Sequence, residues 1–347
     1  MSWTSLFKSK STKLKPDSRV RWFGKLPTYP DYYSSSPDES WAVEFNEWVI
    51  KGFELYQARH ESWIDSAGPT SRRLPKIPIA AGALRLPKSE MTVLTSIMDF
   101  GGDMRGRPFP LCLYVGIPTS FWPGPTSNAV CGAAQAIRDL GDMGREIPYF
   151  LNHPGRFETL VDGRTVDLSG IAAIEDGDWW IAEAESLSMD TWFSETVSGL
   201  KVEDLRTWVG LASRWGDHIA GLENKKFQPT LRFPLARSIS HEVQTAGWIR
   251  WLEQRMNLKR RSVSLVLSGD PAKRGGRLAV VARDLVPDDF LLLTERWATL
   301  PYVDDLSEVD IEEHESRMTG PPGDGGAAAH AMPETWRDFV EMPATAT

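Results

Sequence analysis

The chain is poor in cysteine: Cys112 and Cys131 are the two among 347 residues. Two cysteines do not make a disulfide framework, and their apolar neighbours read as the setting of small buried side chains rather than of reactive thiols. No segment reaches the roughly 18 continuous apolar residues that a bilayer-spanning helix needs. Lys8, Lys10, Lys13 and Lys15 have no apolar stretch behind them, so they do not read as a secretory leader. The cytoplasm is therefore the expected compartment. Positive charge is also in short supply, with 39 Lys and Arg against 47 Asp and Glu and a formal net charge of -8. A negative surface repels phosphate backbones, which argues against nucleic acid as a partner.

Recognisable catalytic patterns are missing as well. His60, His153, His218, His241, His314 and His330 include no H-x-x-x-H pair that would place two metal ligands on one helix face. There is no C-x-x-C, no G-x-S-x-G elbow and no G-x-x-x-x-G-K-[ST] phosphate loop. Asp288-Asp289 and Asp304-Asp305 are adjacent carboxylates, which point in different directions rather than converge on a metal. Gly101-Gly102-Asp103 reads as a turn, and Asp217-His218 as the solvated face of a helix. The reading is of a protein with no catalytic residues, no metal site and no cofactor.

What the chain does have is 15 tryptophans and a hydrophobic content of 41%. Trp41, Trp48, Trp208, Trp215, Trp248 and Trp251 fall on apolar helix faces, where burying the indole is the simplest account. Trp41, Phe45, Trp48, Val49, Phe53 and Tyr56 recur at helical spacing. Ser36, Pro37 and Glu39 give that helix a capping-box start. Strands are expected around Val20–Gly24, Ile79–Leu86, Met91–Met98 and Leu111–Gly116, with a helix over Ser127–Leu140. Strand, helix, strands and helix in that order describe an α+β layer, an antiparallel sheet flanked by helices.

The later residues repeat such an alternation. Trp179–Ile181 reads as a strand, and 201–222 and 241–257 as helices. Leu231–Leu235 reads as a strand that Pro234 confines to an edge. Ser262–Leu267 and Arg277–Val281 read as strands, and Phe290–Thr299 as a short helix. The expected organisation is a basic arm over 1–17, a first domain over 18–144, a second α/β domain of unknown type over 145–300, and a tail over 301–347. That tail is acidic, then rich in Gly, Pro and Ala. Trp336, Phe339 and Val340 within it read as a collapsed or frayed end, with a small docking motif as the alternative. Arg107–Leu111 and Arg232–Leu235 share Arg, Phe, Pro and Leu ahead of a helix, a likeness short enough to be chance.

Two segments of the first domain carry a more specific signal. One is Trp22-Phe23-Gly24-Lys25-Leu26-Pro27 followed by Asp31-Tyr32. The other is Asp103-Met104-Arg105-Gly106-Arg107-Pro108-Phe109-Pro110-Leu111, with the Trp41 and Trp48 helix between the two. This order, over roughly residues 19–140, resembles the ImpM/TagF family of type VI secretion accessory proteins. The chain departs from the family pattern at Tyr29-Pro30, which replace the family's small residue before the aspartate, and at Tyr32 in place of Phe.

The resemblance implies a longin-like or profilin-like α/β sandwich and repression of secretion after translation. It also implies contact with the forkhead-associated scaffold protein of that system. Some family members are fused to a metal-dependent phosphatase, whose Asp-rich motifs this chain lacks. Gly24, Lys25, Leu26, Pro27, Asp31, Trp41, Trp48, Asp103, Gly106, Arg107, Phe109 and Pro110 are the implied partner-binding or structural positions. Arg107 is a planar donor fork suited to pairing with Asp31 or Asp103. The expected function is a non-enzymatic regulator acting by protein–protein binding. An adaptor component of a secretion assembly is the alternative, and a hydrolase with a site between the domains stands third.

Overall fold

The computed structural model describes residues 17–26, 30–36, 38–67, 80–99, 108–121, 127–147, 154–172, 179–196, 205–221, 230–237, 240–256, 258, 262–268, 276–293, 303–306 and 332–342. Among them, nine strands form one sheet. In chain order they are β1 (Arg21–Gly24), β2 (Tyr33–Ser34), β3 (Ala80–Arg85), β4 (Met91–Asp99), β5 (Pro110–Pro118), β6 (Thr230–Leu235), β7 (Ser264–Ser268), β8 (Gly276–Val281) and β9 (Val303–Asp305). Across the sheet the order is β2-β1-β5-β4-β3-β7-β8-β6-β9. Every neighbouring pair is antiparallel except β6 and β9, which run parallel. The expected α+β architecture with an antiparallel sheet is the one observed.

Alternation along each strand sorts side chains onto two faces. Leu111, Leu113, Val115 and Ile117 of β5 enter one core, and Cys112 and Tyr114 enter the other. Both faces are covered, so β5 reads as an unbroken apolar run rather than as an alternation. The first core lies under α2 (Ser127–Glu146), α7 (Leu205–Gly221) and α8 (His241–Glu253). The second lies under α1 (Ser40–Ala67) and a 3-10 helix, Pro287–Leu293.

The 3-10 helix is held by the buried carboxylate of Asp289. It accepts two hydrogen bonds of 2.8 Å from the Arg283 guanidinium and one of 2.9 Å from the Val286 N–H. Four shorter helices, α3 (Pro154–Val161), α4 (Ser169–Ala172), α5 (Trp179–Ser186) and α6 (Met189–Thr196), complete the side that carries α2.

Several elements depart from the sequence expectation. Trp179–Ile181 opens helix α5 instead of a strand, with Trp180 buried in the core. α1 starts at Ser40, and Glu39 spends its carboxylate on Arg21 and on the Trp41 indole N–H, not on a capping box with Ser36. Around the expected helix Phe290–Thr299, the described turn is the 3-10 helix ending at Leu293; residues 294–300 lie outside the described residues.

Trp336–Val340 is not frayed. It forms a helix, α9, with Trp336, Phe339 and Val340 fully buried. Thr335 closes its start with a capping box to Asp338. Pro234 does not confine its strand to an edge: β6 has β8 on one side and β9 on the other, and the described pairing with β9 runs over Thr230–Arg232, ahead of the proline.

Strands from residues 18–144 and strands from 145–306 meet at β3 and β7. Ala81, Gly82 and Ala83 face Leu267, Val266 and Leu265. From this seam the sheet extends with two-fold regularity. Gly82 faces Thr95 and then Tyr114 in β4 and β5, while Val266 faces Ala279 and then Arg232 in β8 and β6. Helices α2 and α8, which follow β5 and β6, pack together over one face. The Arg-Phe-Pro-Leu likeness does not obey this relation. Pro110 opens β5 opposite Asp99, whereas Pro234 lies near the end of β6 opposite Arg277.

A Cβ at Gly82 would stand 2.5 Å from the Leu265 carbonyl oxygen, a backbone atom that cannot swing aside. Gly82→Val is therefore expected to force the seam apart and to cost about 1–3 kcal/mol. Urea unfolding followed by tryptophan fluorescence and by far-UV circular dichroism should show both midpoints falling together. A fall in one signal alone would mean that the seam does not couple the two sets of strands.

Candidate functional site

The two motif segments converge on β1 and β5. Gly24 pairs with Leu111, and its φ of 149° lies where side chains are disfavoured. A Cβ there would come within 2.3 Å of the Pro110 carbonyl oxygen. Glycine is thus required twice at one position, by its conformation and by the closeness of the Pro110 backbone. Phe23 meets Phe109 edge-on at 5.7 Å, and Phe109 meets Tyr32 edge-on at 4.6 Å.

Lys25 is buried, and its ammonium stands over the Tyr32 ring at 4.3 Å and 5.9 Å from the Phe109 centroid. The negative faces of those rings supply what water would otherwise give the charge. Leu26 is buried in the opposite core. Asp31 is exposed and accepts the Tyr32 backbone N–H at 2.9 Å. Pro27, Asp103, Gly106 and Arg107 lie outside the described residues, and so does the expected pairing of Arg107 with Asp31 or Asp103.

Trp41 and Trp48 do not join this cluster. Trp41, half-buried, fills the space left by Gly116, where a Cβ would come within 2.7 Å of its ring. Trp48 donates its indole N–H to the Val286 carbonyl at 2.9 Å and meets Phe290 at 5.6 Å, so it fastens α1 to the 3-10 helix. Both tryptophans position α1 over the face that carries Phe23 and Phe109.

A charged network that motif reading missed lies beside Trp41. The Arg21 guanidinium, almost wholly buried, forks onto Glu39 at 2.7 and 2.9 Å and reaches Asp17 at 3.1 Å. It also lies 5.1 Å from the Trp41 centroid. The side-chain hydrogen bond from Arg19 is the largest of several effects that hold the Asp17 carboxyl well below the ordinary carboxylate range. The sequence signal was a lone arginine between Val20 and Trp22 at the start of a strand, where a charge must be paired to be buried.

At the edge of the sheet, beyond these buried groups, two aromatic rings face outward. Tyr32 and Tyr33 are 44% and 42% exposed, the most exposed of the large apolar side chains described. Tyr33 stacks on Trp22 at 4.7 Å and Tyr32 stacks on Phe23 at 6.1 Å, so both rings are held rigidly from behind. They sit on and beside β2, the terminal strand of the sheet. Rigid, half-exposed aromatic rings at the terminal strand give a surface suited to holding another polypeptide.

Elsewhere, a cavity lies between α2, α8 and the seam, lined mainly by apolar side chains such as Val130, Ile137 and Leu265. Cys112 is a free thiol buried in β5, and burial pushes its pKa up, which keeps it protonated and unreactive. Among the described residues no group of three or more His, Cys, Asp or Glu converges as a metal site. No helix among them is long and apolar enough to cross a membrane.

No family model matches the chain, and no curated protein matches it. Among solved structures it is similar to PA0076 from Pseudomonas aeruginosa PAO1, at 19% identity and a TM-score of 0.32. That alignment covers 42% of this chain and 61% of the other, so the chain spans about three fifths of the length of the structure it matches.

Gly24→Ala should destabilise the chain by about 1–3 kcal/mol, because the backbone must leave a conformation that alanine resists. The denaturation midpoint measures it. The acid limb of stability tests the charged network. Asp17 has a folded pKa below its ordinary value of 3.8, so the stability it contributes is present above that value and lost as the pH falls below it. Asp17→Asn should reduce the loss of stability on acidification below that pH and leave the slope near neutrality unchanged.

Proposed function

We propose that this chain is a non-enzymatic, post-translational repressor of a type VI secretion system that acts by binding another protein. The observation that carries the reading is the meeting of the two motif segments, Gly24–Leu26 and Phe109–Leu111, on adjacent strands behind Tyr32 and Tyr33. The resemblance to the ImpM/TagF family rests on those same segments. Their buried parts lock the backbone, and the exposed rings they support are the contact surface. The partner is a component of the secretion apparatus, with its forkhead-associated scaffold protein as the specific candidate. The site of action is the cytoplasm.

Chemistry favours the edge strand over the rest of the surface. Tyrosine offers a large apolar face and a hydroxyl at little entropic cost once its ring is stacked. A partner segment laid along the β2 edge would meet Tyr33 towards one face of the sheet and Tyr32 towards the other.

Deletion of the gene in its native host should raise secretion of a type VI substrate, and abolished secretion would favour the adaptor reading instead. Tyr32→Ser with Tyr33→Ser in the full chain should give the deletion phenotype while the protein accumulates to normal levels. Unchanged repression by that double variant would remove the surface proposed here.

A further inference from the structure

A second aromatic cluster is built largely from tryptophan. Trp192, Trp208 and Trp248 pack with Trp336 and Phe339 of α9, all of them fully buried. Trp336 stacks on Trp192 at 4.7 Å and meets Trp248 edge-on at 4.9 Å. Phe339 lies 5.1 Å from Trp208 and 5.7 Å from Trp248. The receiving wall belongs to α5, α6, α7 and α8. The inserted rings come from a segment that the chain reaches only after residues 307–331.

The wall is shaped for this insertion. Gly247 sits in the middle of α8, where glycine is a poor helix former. A Cβ there would come within 2.6 Å of Trp336 Nε1 and 3.2 Å of Val340. The glycine makes a slot for one indole. The backbone is read as well: the Trp336 N–H donates to the Leu187 carbonyl at 2.8 Å and the Met189 N–H to the Glu334 carbonyl at 3.0 Å. Arg337 pairs with Glu185, and Arg255 donates to the Met342 carbonyl at 3.2 Å.

A ring in a slot, a stretch of main-chain pairing, one charge pair and a donor at the far end are how grooves recognise peptides. Among the described residues, the segment contributes to the strand network an isolated bridge between Ser188 and Thr335. The nine-stranded sheet is complete without it.

We infer that the tryptophan-lined wall is a peptide-docking groove and that Met332–Met342 is its exchangeable ligand, which a second copy of this chain can supply in trans. The occupant is defined by its chemistry. A threonine caps a short helix, tryptophan takes the slot, a basic residue follows it, and phenylalanine and valine come three and four residues after the tryptophan. The chain's own segment meets each condition, and so does that of any other copy. Exchange between copies then links two chains without any new surface, as in a domain swap.

The test uses the full chain with a protease site inserted within residues 307–331 and cut after folding. A fluorescent peptide of residues 331–345 should bind the cut chain, with anisotropy that saturates, and should bind the uncut chain at least tenfold more weakly. The same peptide carrying Trp336→Ala should bind the cut chain at least tenfold more weakly, while the circular dichroism of the cut chain stays native. Concentrated uncut chain should show a dimer by light scattering that excess peptide returns to monomer. Failure of the cut chain to take up the peptide, or loss of its fold on cutting, would make the segment an integral part of the core and overturn the proposal. A chain that remains monomeric at every concentration would overturn the second copy as occupant.

Discussion

Three residue pairs, Ala81 with Leu267, Gly82 with Val266 and Ala83 with Leu265, carry the hydrogen bonding between the first five strands and the last four. The contact works because Gly82 has no side chain to strike the Leu265 carbonyl. Once it forms, one sheet offers two continuous faces. α2 and α8 cover the seam on one side, and α1 with the 3-10 helix covers the other. Trp48 ties α1 to Val286, and Asp289 ties that same turn to Arg283, so the second face is held by residues far apart in sequence. The strand arrangement is regular about the seam, yet the Arg-Phe-Pro-Leu likeness falls at different registers, so the regularity lies in the backbone and not in that tetrapeptide.

The outer edges of the sheet differ in character. At the β2 edge, buried rings brace exposed ones, and Lys25 is enclosed by aromatic faces. At the β9 edge, a short parallel strand carries Asp304 and Asp305 beside β6. An apolar, rigid edge invites another polypeptide, and an acidic one discourages it. The same distinction assigns the tryptophans. Those of α7 and α8 are interior groups, and the most exposed large aromatic side chains described are tyrosines.

Sequence reading found the elements whose periodicity is strong. α1 announced itself through apolar residues at helical spacing and β4 and β5 through apolar runs, whereas Pro234 marked an edge that β6, paired on both sides, does not occupy. The convergence of Gly24 with Pro110 was legible as two motifs, although only the coordinates show one backbone resting on the other. Other features gave no local signal. Ala81-Gly82-Ala83 has weak strand propensity, and its role depends on a partner strand more than 180 residues away. Trp179-Trp180-Ile181 is apolar throughout, and such a run does not distinguish a strand from a buried helix. α9 is five residues long and follows an acidic, Gly- and Pro-rich stretch, so composition suggested a tail where a tertiary groove makes a helix. Ser36 and Glu39 had capping-box spacing, but a buried guanidinium at Arg21 bound the carboxylate instead.

The central functional claim is that the braced aromatic edge contacts a secretion-system protein. Placing a photo-crosslinking amino acid at Tyr33 in the native host, then identifying the adduct by mass spectrometry, tests it most directly. The account predicts a light-dependent adduct with a component of the type VI apparatus, and none from the same probe at Val286, an exposed residue just ahead of the 3-10 helix and not on the β2 edge. Adducts at Val286 with none at Tyr33 would contradict it.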